Sequence, residues 1–196
     1  MERHPDVVWS PGTLGRAERW GALGARGATV WLTGLSGSGK STIASALEHR
    51  LVLSGRPAYR LDGDNIRCGL NSDLGFDRAG RDENVRRVGE VACLFAESGV
   101  VAVVALISPF AEARRLARER HEAAGIAFIE VHVATPVALC ASRDPKGLYA
   151  RAQAGAVASL TGIDDPYEVP MAPELVVAGD APLDESVGLI LEYLER

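Results

Sequence analysis

No stretch of this chain approaches the ~18–20 consecutive apolar residues that a membrane-crossing helix needs, so a membrane-embedded protein is set aside. Cysteine is scarce as well. Cys68, Cys93 and Cys140 are odd in number, widely separated and without a C-x-x-C pair. That pattern excludes a disulfide framework and reads as reduced thiols in a cytoplasmic protein. Positive charge is also short. The 21 Lys and Arg are outnumbered by 26 Asp and Glu, for a net charge of −5, which excludes a broad nucleic-acid footprint. An anionic ligand must therefore be met by local basic residues. Met1 to Gly27 carry charges and two prolines and lack the apolar stretch of a secretory signal. No internal repeat or low-complexity tract is present.

What is there suits one domain with a substantial core: 196 residues, 47% of them hydrophobic. Residues 1–27 read as an N-terminal extension and 28–196 as the domain. Short runs rich in Val, Ile and Leu recur at Thr29–Thr33, Ala58–Leu61, Val100–Ile107, Ala127–Val133 and Leu175–Ala178. Between them lie segments with helical spacing. Ile43, Leu47 and Leu51 form one stripe, Val85, Val88, Ala92 and Phe95 another, and Val187, Ile190, Leu191 and Leu194 a third, with Asp184 as its predicted N-cap. Val100–Ile107 is almost wholly apolar, as a strand covered on both faces should be. Alternation of this kind predicts an α/β fold with a mostly parallel sheet and ligands at the C-terminal strand ends. Ser142 to Pro173 breaks the scheme. Rich in Gly, Pro, Asp and Ala, it is too long for a plain loop and predicts a lid with a short helix near Leu148–Ala154.

The strongest local signal is Gly34-Leu35-Ser36-Gly37-Ser38-Gly39-Lys40-Ser41, followed by Thr42. It is a full G-x-x-x-x-G-K-[ST] match lying between a predicted strand and a predicted helix. Glycines let the backbone curl so that N–H groups face phosphate oxygens, and the helix N-terminus adds a favourable dipole. Lys40 should reach the β- and γ-phosphates of ATP, and the Ser41 hydroxyl should ligate Mg²⁺. The guanine-reading N-K-x-D of a GTPase is absent, and Val100–Ile107 ends in Ser108-Pro109 rather than the Asp-Glu of a motor-type ATPase. The acidic strand end is instead Leu61-Asp62-Gly63-Asp64-Asn65. One carboxylate there can hold Mg²⁺ through water while the other accepts the proton of an acceptor hydroxyl. An Asx turn closing the strand would use the same residues.

Gly34–Ile43, Leu61–Leu70, Asp73–Phe76, Arg81–Glu90, Ile107–Phe110, Arg143–Tyr149 and Thr161–Glu168 together resemble the adenylyl-sulfate kinase family, over roughly Val7 to Ala178. The runs LDGDNIR, RDENVRRVGEVA, RDPKGLY and TGIDDPYE are each more specific than the P-loop, and VVW at Val7–Trp9 is also family-like. The resemblance implies a three-layer α/β/α P-loop nucleoside-triphosphate hydrolase fold with a lid over approximately residues 143–173. It implies phosphorylation of the ribose 3′-hydroxyl of adenylyl sulfate by ATP, in sulfate assimilation.

By the same resemblance, Asp64, Asp62, Lys40 and Ser108 are catalytic, with Ser41 and Asp62 at the metal. Arg67 and Arg81 bind the phosphosulfate, whose oxygens suit planar guanidinium groups. Asn84, Ile107, Lys146 and Leu160 complete the substrate pocket, Phe76 stacks on adenine, and Arg143, Lys146 and Arg151 close the lid. Ser108 matches a serine described in the family as a phosphoserine intermediate. No base for it is evident in the sequence, and a hydrogen bond to substrate serves equally well. Asp164, Asp165 and Tyr167 read as shaping the turn around Pro166. The partners implied are adenylyl sulfate, ATP, a second copy in a homodimer, and the ATP sulfurylase that supplies substrate.

Leu160 departs from the pattern, since it stands where the family has phenylalanine as the second face of the adenine sandwich, a loss of ~1 kcal/mol of stacking. Ala150, Ser72 and Ala113 depart too, without removing a group the transfer needs. Two alternatives remain: a P-loop kinase for another small-molecule hydroxyl, and a nucleotide-binding module without catalysis. Retention of Lys40, Ser41, Asp62 and Asp64 speaks against the second.

Overall fold

Successive residues of a strand point to opposite faces of its sheet, and β1 (Ala28–Thr33) is buried along its whole length. Both of its faces must therefore be covered. Val30 and Leu32 look one way and Trp31 the other, and each enters a separate apolar cluster. The computed structural model describes residues 6, 8, 10, 12–155 and 160–196. Val7 and Trp9 of the family-like VVW lie outside the described residues.

Four further strands join β1: β2 (Ala58–Asp62), β3 (Val101–Ala105), β4 (Phe128–Ala134) and β5 (Leu175–Ala178). Their order is β2-β3-β1-β4-β5 and every pairing is parallel. The helices are α1 (Arg16–Leu23), α2 (Lys40–Leu53), α3 (Gly63–Arg67), α4 (Arg78–Ser98), α5 (Ala111–Ala123), α6 (Val137–Arg143), α7 (Leu148–Gln153) and α8 (Leu183–Leu194). Ile43, Leu47 and Leu51 of α2 and Val187 and Ile190 of α8 cover one sheet face; Val85, Val88 and Ala92 of α4 and Ala113 and Ala117 of α5 cover the other. Each fully buried aliphatic side chain contributes about 1.5–3 kcal/mol relative to exposure. The result is the expected three-layer α/β arrangement.

β1 lies between β3 and β4, so the chain leaves it in one direction for β2 and β3 and later crosses to the other side for β4 and β5. Parallel sheets bind ligands beside such a reversal, outside the C-terminal strand ends. Gly34–Gly39, Gly63–Arg67 and Leu106–Pro109 follow β1, β2 and β3 there.

Three expectations need adjustment. The predicted strand Val100–Ile107 pairs only over Val101–Ala105. Leu106 still donates to the Leu32 carbonyl at 3.2 Å, and Ser108 then turns the chain with φ 39°. Asp184 is not the N-cap of α8. That helix begins at Leu183 after Pro182, which lies at φ −54°, ψ 138°, and Asp184 falls in its first turn, where it still favours the dipole. Finally, the segment expected to form a lid holds α7, as expected at Leu148–Ala154, while α6, just before it, has no periodic signal in the sequence.

Candidate active site

Glycine is needed in the loop after β1 because the loop turns against L-residue preference. Gly37 and Gly39 have φ of 75° and 105°, and a Cβ on Gly37 would lie 3.0 Å from the Cys140 carbonyl oxygen. The loop is anchored from outside. The Thr135 hydroxyl donates to the Ser38 carbonyl at 2.8 Å and the Tyr149 hydroxyl to the Ser36 carbonyl at 2.9 Å. Gly39 caps α2 without a side-chain hydrogen bond, so the first-turn N–H groups remain available for an anion. Lys40 bends back over the loop, its Nζ donating to the Leu35 carbonyl at 2.6 Å and to Ser38 Oγ at 3.4 Å. Burial pulls its pKa down to about 8, and the Lys146 ammonium adds to the effect against Cys140, Asp62 and Asp64. Ser41 and Thr42 are exposed at the cleft.

At the end of β2, Asp62 is buried. Its Oδ1 accepts the Asp64 N–H at 3.1 Å and its Oδ2 accepts from Arg60 Nη1 at 3.0 Å. Asp62 thus caps α3; the turn seen in the sequence is real and also aims both carboxylates at the cleft. The Asp64 carboxylate is exposed and ion-paired with Lys146 from the turn between α6 and α7.

Beyond α3 lies an arginine-lined recess. Arg67 Nη1 donates to the Leu74 and Gly75 carbonyls at 3.0 and 3.2 Å, and its guanidinium lies 4.3 Å from the Phe76 ring centroid. Phe76 is 63% exposed, so one ring face has no protein cover to lose. Arg81, buried in the first turn of α4, donates through Nε to the Phe76 carbonyl at 2.6 Å and through Nη1 to Thr161 Oγ1 at 2.6 Å, and pairs with Asp165 at 3.4 Å. Burial lowers the pKa of both guanidinium groups. Asn84 Oδ1 accepts from Asn71 Nδ2 at 3.0 Å.

Ser108 closes the recess on the β3 side. Its φ of 39° lies on the left-handed side, a conformation that persists only where surroundings enforce it. Its hydroxyl donates to Thr33 Oγ1 at 3.0 Å and accepts from Trp31 Nε1 at 3.1 Å. Among the described residues neither a carboxylate nor an imidazole is hydrogen-bonded to it. Thr33 in turn donates to the Ile107 carbonyl at 2.7 Å and meets the Tyr167 hydroxyl at 3.0 Å.

A continuous cleft of about 560 Å³ joins these parts. It is lined by Ser36, Gly37, Gly39, Lys40, Ser41 and Thr42, by Asp62, Asp64, Arg67, Phe76, Arg81 and Asn84, and by Ile107, Ser108, Arg143 and Lys146. Arg143 Nη2 also donates to the Gly179 carbonyl at 2.8 Å. Leu160 and Arg151 are not in this lining. Arg151 is exposed on α7. Leu160, expected against adenine, is buried with Leu35, Cys140 and Tyr149. The residue after it, Thr161, is held by Arg81, and Gly162 at φ 90° packs over Leu35, which keeps Leu160 on the far side of the segment. Thr33, Thr135, Tyr149 and Asp165 organise the site although no site role was expected of them from sequence; Tyr149 and Asp165 lie in the family-like runs RDPKGLY and TGIDDPYE.

Nucleotide loop, adjacent acidic strand end and a second, basic recess in one cleft define the class: a P-loop kinase for a small acceptor. Comparison with known proteins narrows it. Residues 26–178 match the family described as Adenylylsulphate kinase. The adenylyl-sulfate kinase of Penicillium chrysogenum is 48% identical over 198 aligned residues, covering 97% of this chain and 94% of that one. The Mycobacterium tuberculosis APS kinase CysC, solved in complex with AMPPNP and APS, superposes with a TM-score of 0.86 at 52% identity, over 88% of this chain and 99% of that one. A hexameric APS kinase from Thiobacillus denitrificans gives a TM-score of 0.65 at 38% identity, over 88% of this chain and 29% of that longer chain. The chain belongs to the adenylylsulphate kinase family.

Proposed function

We propose that the protein transfers the γ-phosphoryl group of ATP to the 3′-hydroxyl of adenylyl sulfate, giving 3′-phosphoadenylyl sulfate and ADP. The observation that carries this reading is the position of Asp64 in one cleft, between the P-loop and the Arg67–Phe76–Arg81 recess. A bound nucleotide's terminal phosphate and an acceptor hydroxyl can both reach it.

In this reading the N–H groups of Gly34–Thr42 and the Lys40 ammonium hold the donor phosphates and neutralise charge developing in transfer. Asp64 accepts the 3′-hydroxyl proton. Arg67 and Arg81 grip the phosphosulfate, Phe76 stacks on adenine, and Asn84 and the Ile107–Ser108 turn fix the sugar end. The two hydrogen bonds of the Ser108 hydroxyl favour a positioning role over a phosphoserine intermediate. Arg143 and Lys146 close over the phosphates and exclude water, while Leu160 supports the lid from its core.

Mg²⁺ fits these residues. It prefers oxygen ligands and is usually held by one or two carboxylates plus substrate phosphates rather than a protein cage. Among the described residues no cluster of three or more His, Cys, Asp or Glu forms such a cage, whereas Ser41 and Asp62 face the same cleft. These two would hold the ion, which when bound would offset phosphate charge.

Residues 1–27 are read as an extension to a kinase domain at 28–196, with a lid near 143–173. No helix among the described residues is long and apolar enough to cross a membrane. A cytoplasmic homodimer supplied by ATP sulfurylase completes the proposal, and light scattering tests the dimer. The activity is tested by coupled ADP release across candidate acceptors. Adenylyl sulfate should give ADP at the highest kcat/KM. ADP release with another nucleoside or sugar and none with adenylyl sulfate would overturn the reading.

A further inference from the structure

Arg114, in the first turn of α5, is 3% exposed, yet it does not line the cleft. Its three nitrogens each reach a different segment. Nε donates to Glu130 Oε1 on β4 at 2.7 Å, Nη1 to the Ser108 carbonyl at 2.6 Å, and Nη2 to the Glu168 carbonyl at 2.7 Å. A buried ion pair of this kind is weak evidence for a stabilising role, because well-packed apolar side chains of similar volume often do as well. Its distinguishing product is geometric. One planar group ties the end of β3 to the segment that returns from the lid.

Both tied segments belong to the acceptor side of the site. Ser108 carries the left-handed backbone at the cleft wall, and Arg114 holds its carbonyl from behind. The return segment supplies Thr161 and Asp165 to Arg81. Two further bonds follow the same seam: Glu168 N–H to the Pro109 carbonyl at 2.8 Å, and Ala111 N–H to Glu168 Oε2 at 2.6 Å. The nucleotide loop, by contrast, takes its hydrogen-bonded anchors from Thr135 and Tyr149, and it meets the return segment through apolar packing of Leu35 against Leu160 and Gly162.

We propose that Arg114 is a positioning residue for the acceptor nucleotide, setting the Ser108 turn and the Arg81-bound return segment in register with each other. The inference rests on the adenylyl-sulfate kinase reading for its substrate. Lysine cannot replace it, since an ammonium is a point charge without the fork that serves three acceptors. Small displacements of positioning groups are costly to catalysis.

The test uses two variants of the full chain. Arg114→Lys should raise the KM for adenylyl sulfate by about tenfold or more while that for ATP stays within about twofold. The double variant Arg114→Met with Glu130→Gln leaves no unpaired buried charge. It strands the Ser108 and Glu168 carbonyls and so should melt below the parent. It should still unfold cooperatively and keep the adenylyl sulfate defect with the KM for ATP unchanged, a split that a purely structural role would not give. An unchanged KM for adenylyl sulfate in both variants, or a parallel rise for ATP, overturns the proposal. Hydrogen exchange gives a readout independent of substrate: in Arg114→Lys the Ala111 and Glu168 amides should exchange faster and those of Ser38 and Ile43 should not. Unchanged exchange at Ala111 and Glu168 also overturns it. A parent enzyme inactive on adenylyl sulfate would instead sink the functional reading, with the exchange result still deciding the seam.

Discussion

Asp64 and Phe76 illustrate how differently neighbouring residues contribute. Asp64 sits in the cleft as an exposed carboxylate whose partner, Lys146, comes from the exposed turn between α6 and α7, so substrate can exchange that partner for a hydroxyl. Asp64→Asn keeps the size and loses the base. Turnover should fall by about 100-fold or more, while ADP titration should give nearly the parent affinity. Unchanged turnover would exclude Asp64 as the base. Phe76 offers only a stacking face, so Phe76→Ala should raise the KM for adenylyl sulfate by several fold, about 1 kcal/mol, with kcat for saturated enzyme little changed. Leu160 should behave as neither. Buried with Leu35, Cys140 and Tyr149, its truncation to alanine leaves a cavity of the kind that costs ~2–5 kcal/mol, so thermal stability of the lid region should fall before affinity does. The Asp62–Asp64 pair was legible because two residues and a glycine encode it locally. The partners of Arg81 were not. Thr161 and Asp165 lie 80 and 84 residues further on, and nothing in either stretch marks the other.

Elements carry the same distinction. β3 was readable because a central parallel strand buried on both faces demands an apolar run, and α2, α4 and α8 are long enough for a stripe to repeat. α3 and α6, at 5 and 7 residues, are too short for one. α5 reads as charged, with four arginines and a buried histidine near its end. His121 Nδ1 meets the Ala117 carbonyl at 2.7 Å and must donate to it, so Nε2 accepts from the Thr29 hydroxyl at 2.9 Å. Burial pushes its pKa below 6.5, the hydrogen bond to Ala117 opposing. The unfolded chain then binds more protons just below pH 6.5, and stability must fall as pH drops through that window. His132, also lowered chiefly by burial, adds to the slope. In His121→Gln the urea midpoint should change less between pH 7 and 5.5 than in the parent; an equal change would assign the slope elsewhere.

At the scale of the molecule, the sheet is the rigid part and the cleft is assembled from what leaves its C-terminal edge. The alternation of strand and helix announced that edge, but the meeting of Asp64 with Lys146 depends on how a non-periodic segment folds back. A site built this way should couple ligand binding to global stability, because a ligand that binds only the folded chain stabilises it by mass action. ADP at about 100 times its Kd adds ~2.7 kcal/mol, which for a chain of this size raises the melting temperature by roughly 5–10 °C. Asp64→Asn should keep that shift, since Asp64 meets the acceptor rather than the phosphates. Lys40→Met should lose most of it while retaining the shift produced by adenylyl sulfate, which the Arg67–Arg81 recess binds without the P-loop. A Lys40→Met protein that still gains the full ADP shift would show that the nucleotide binds outside the loop after β1, and the assignment of donor and acceptor halves would have to be reversed.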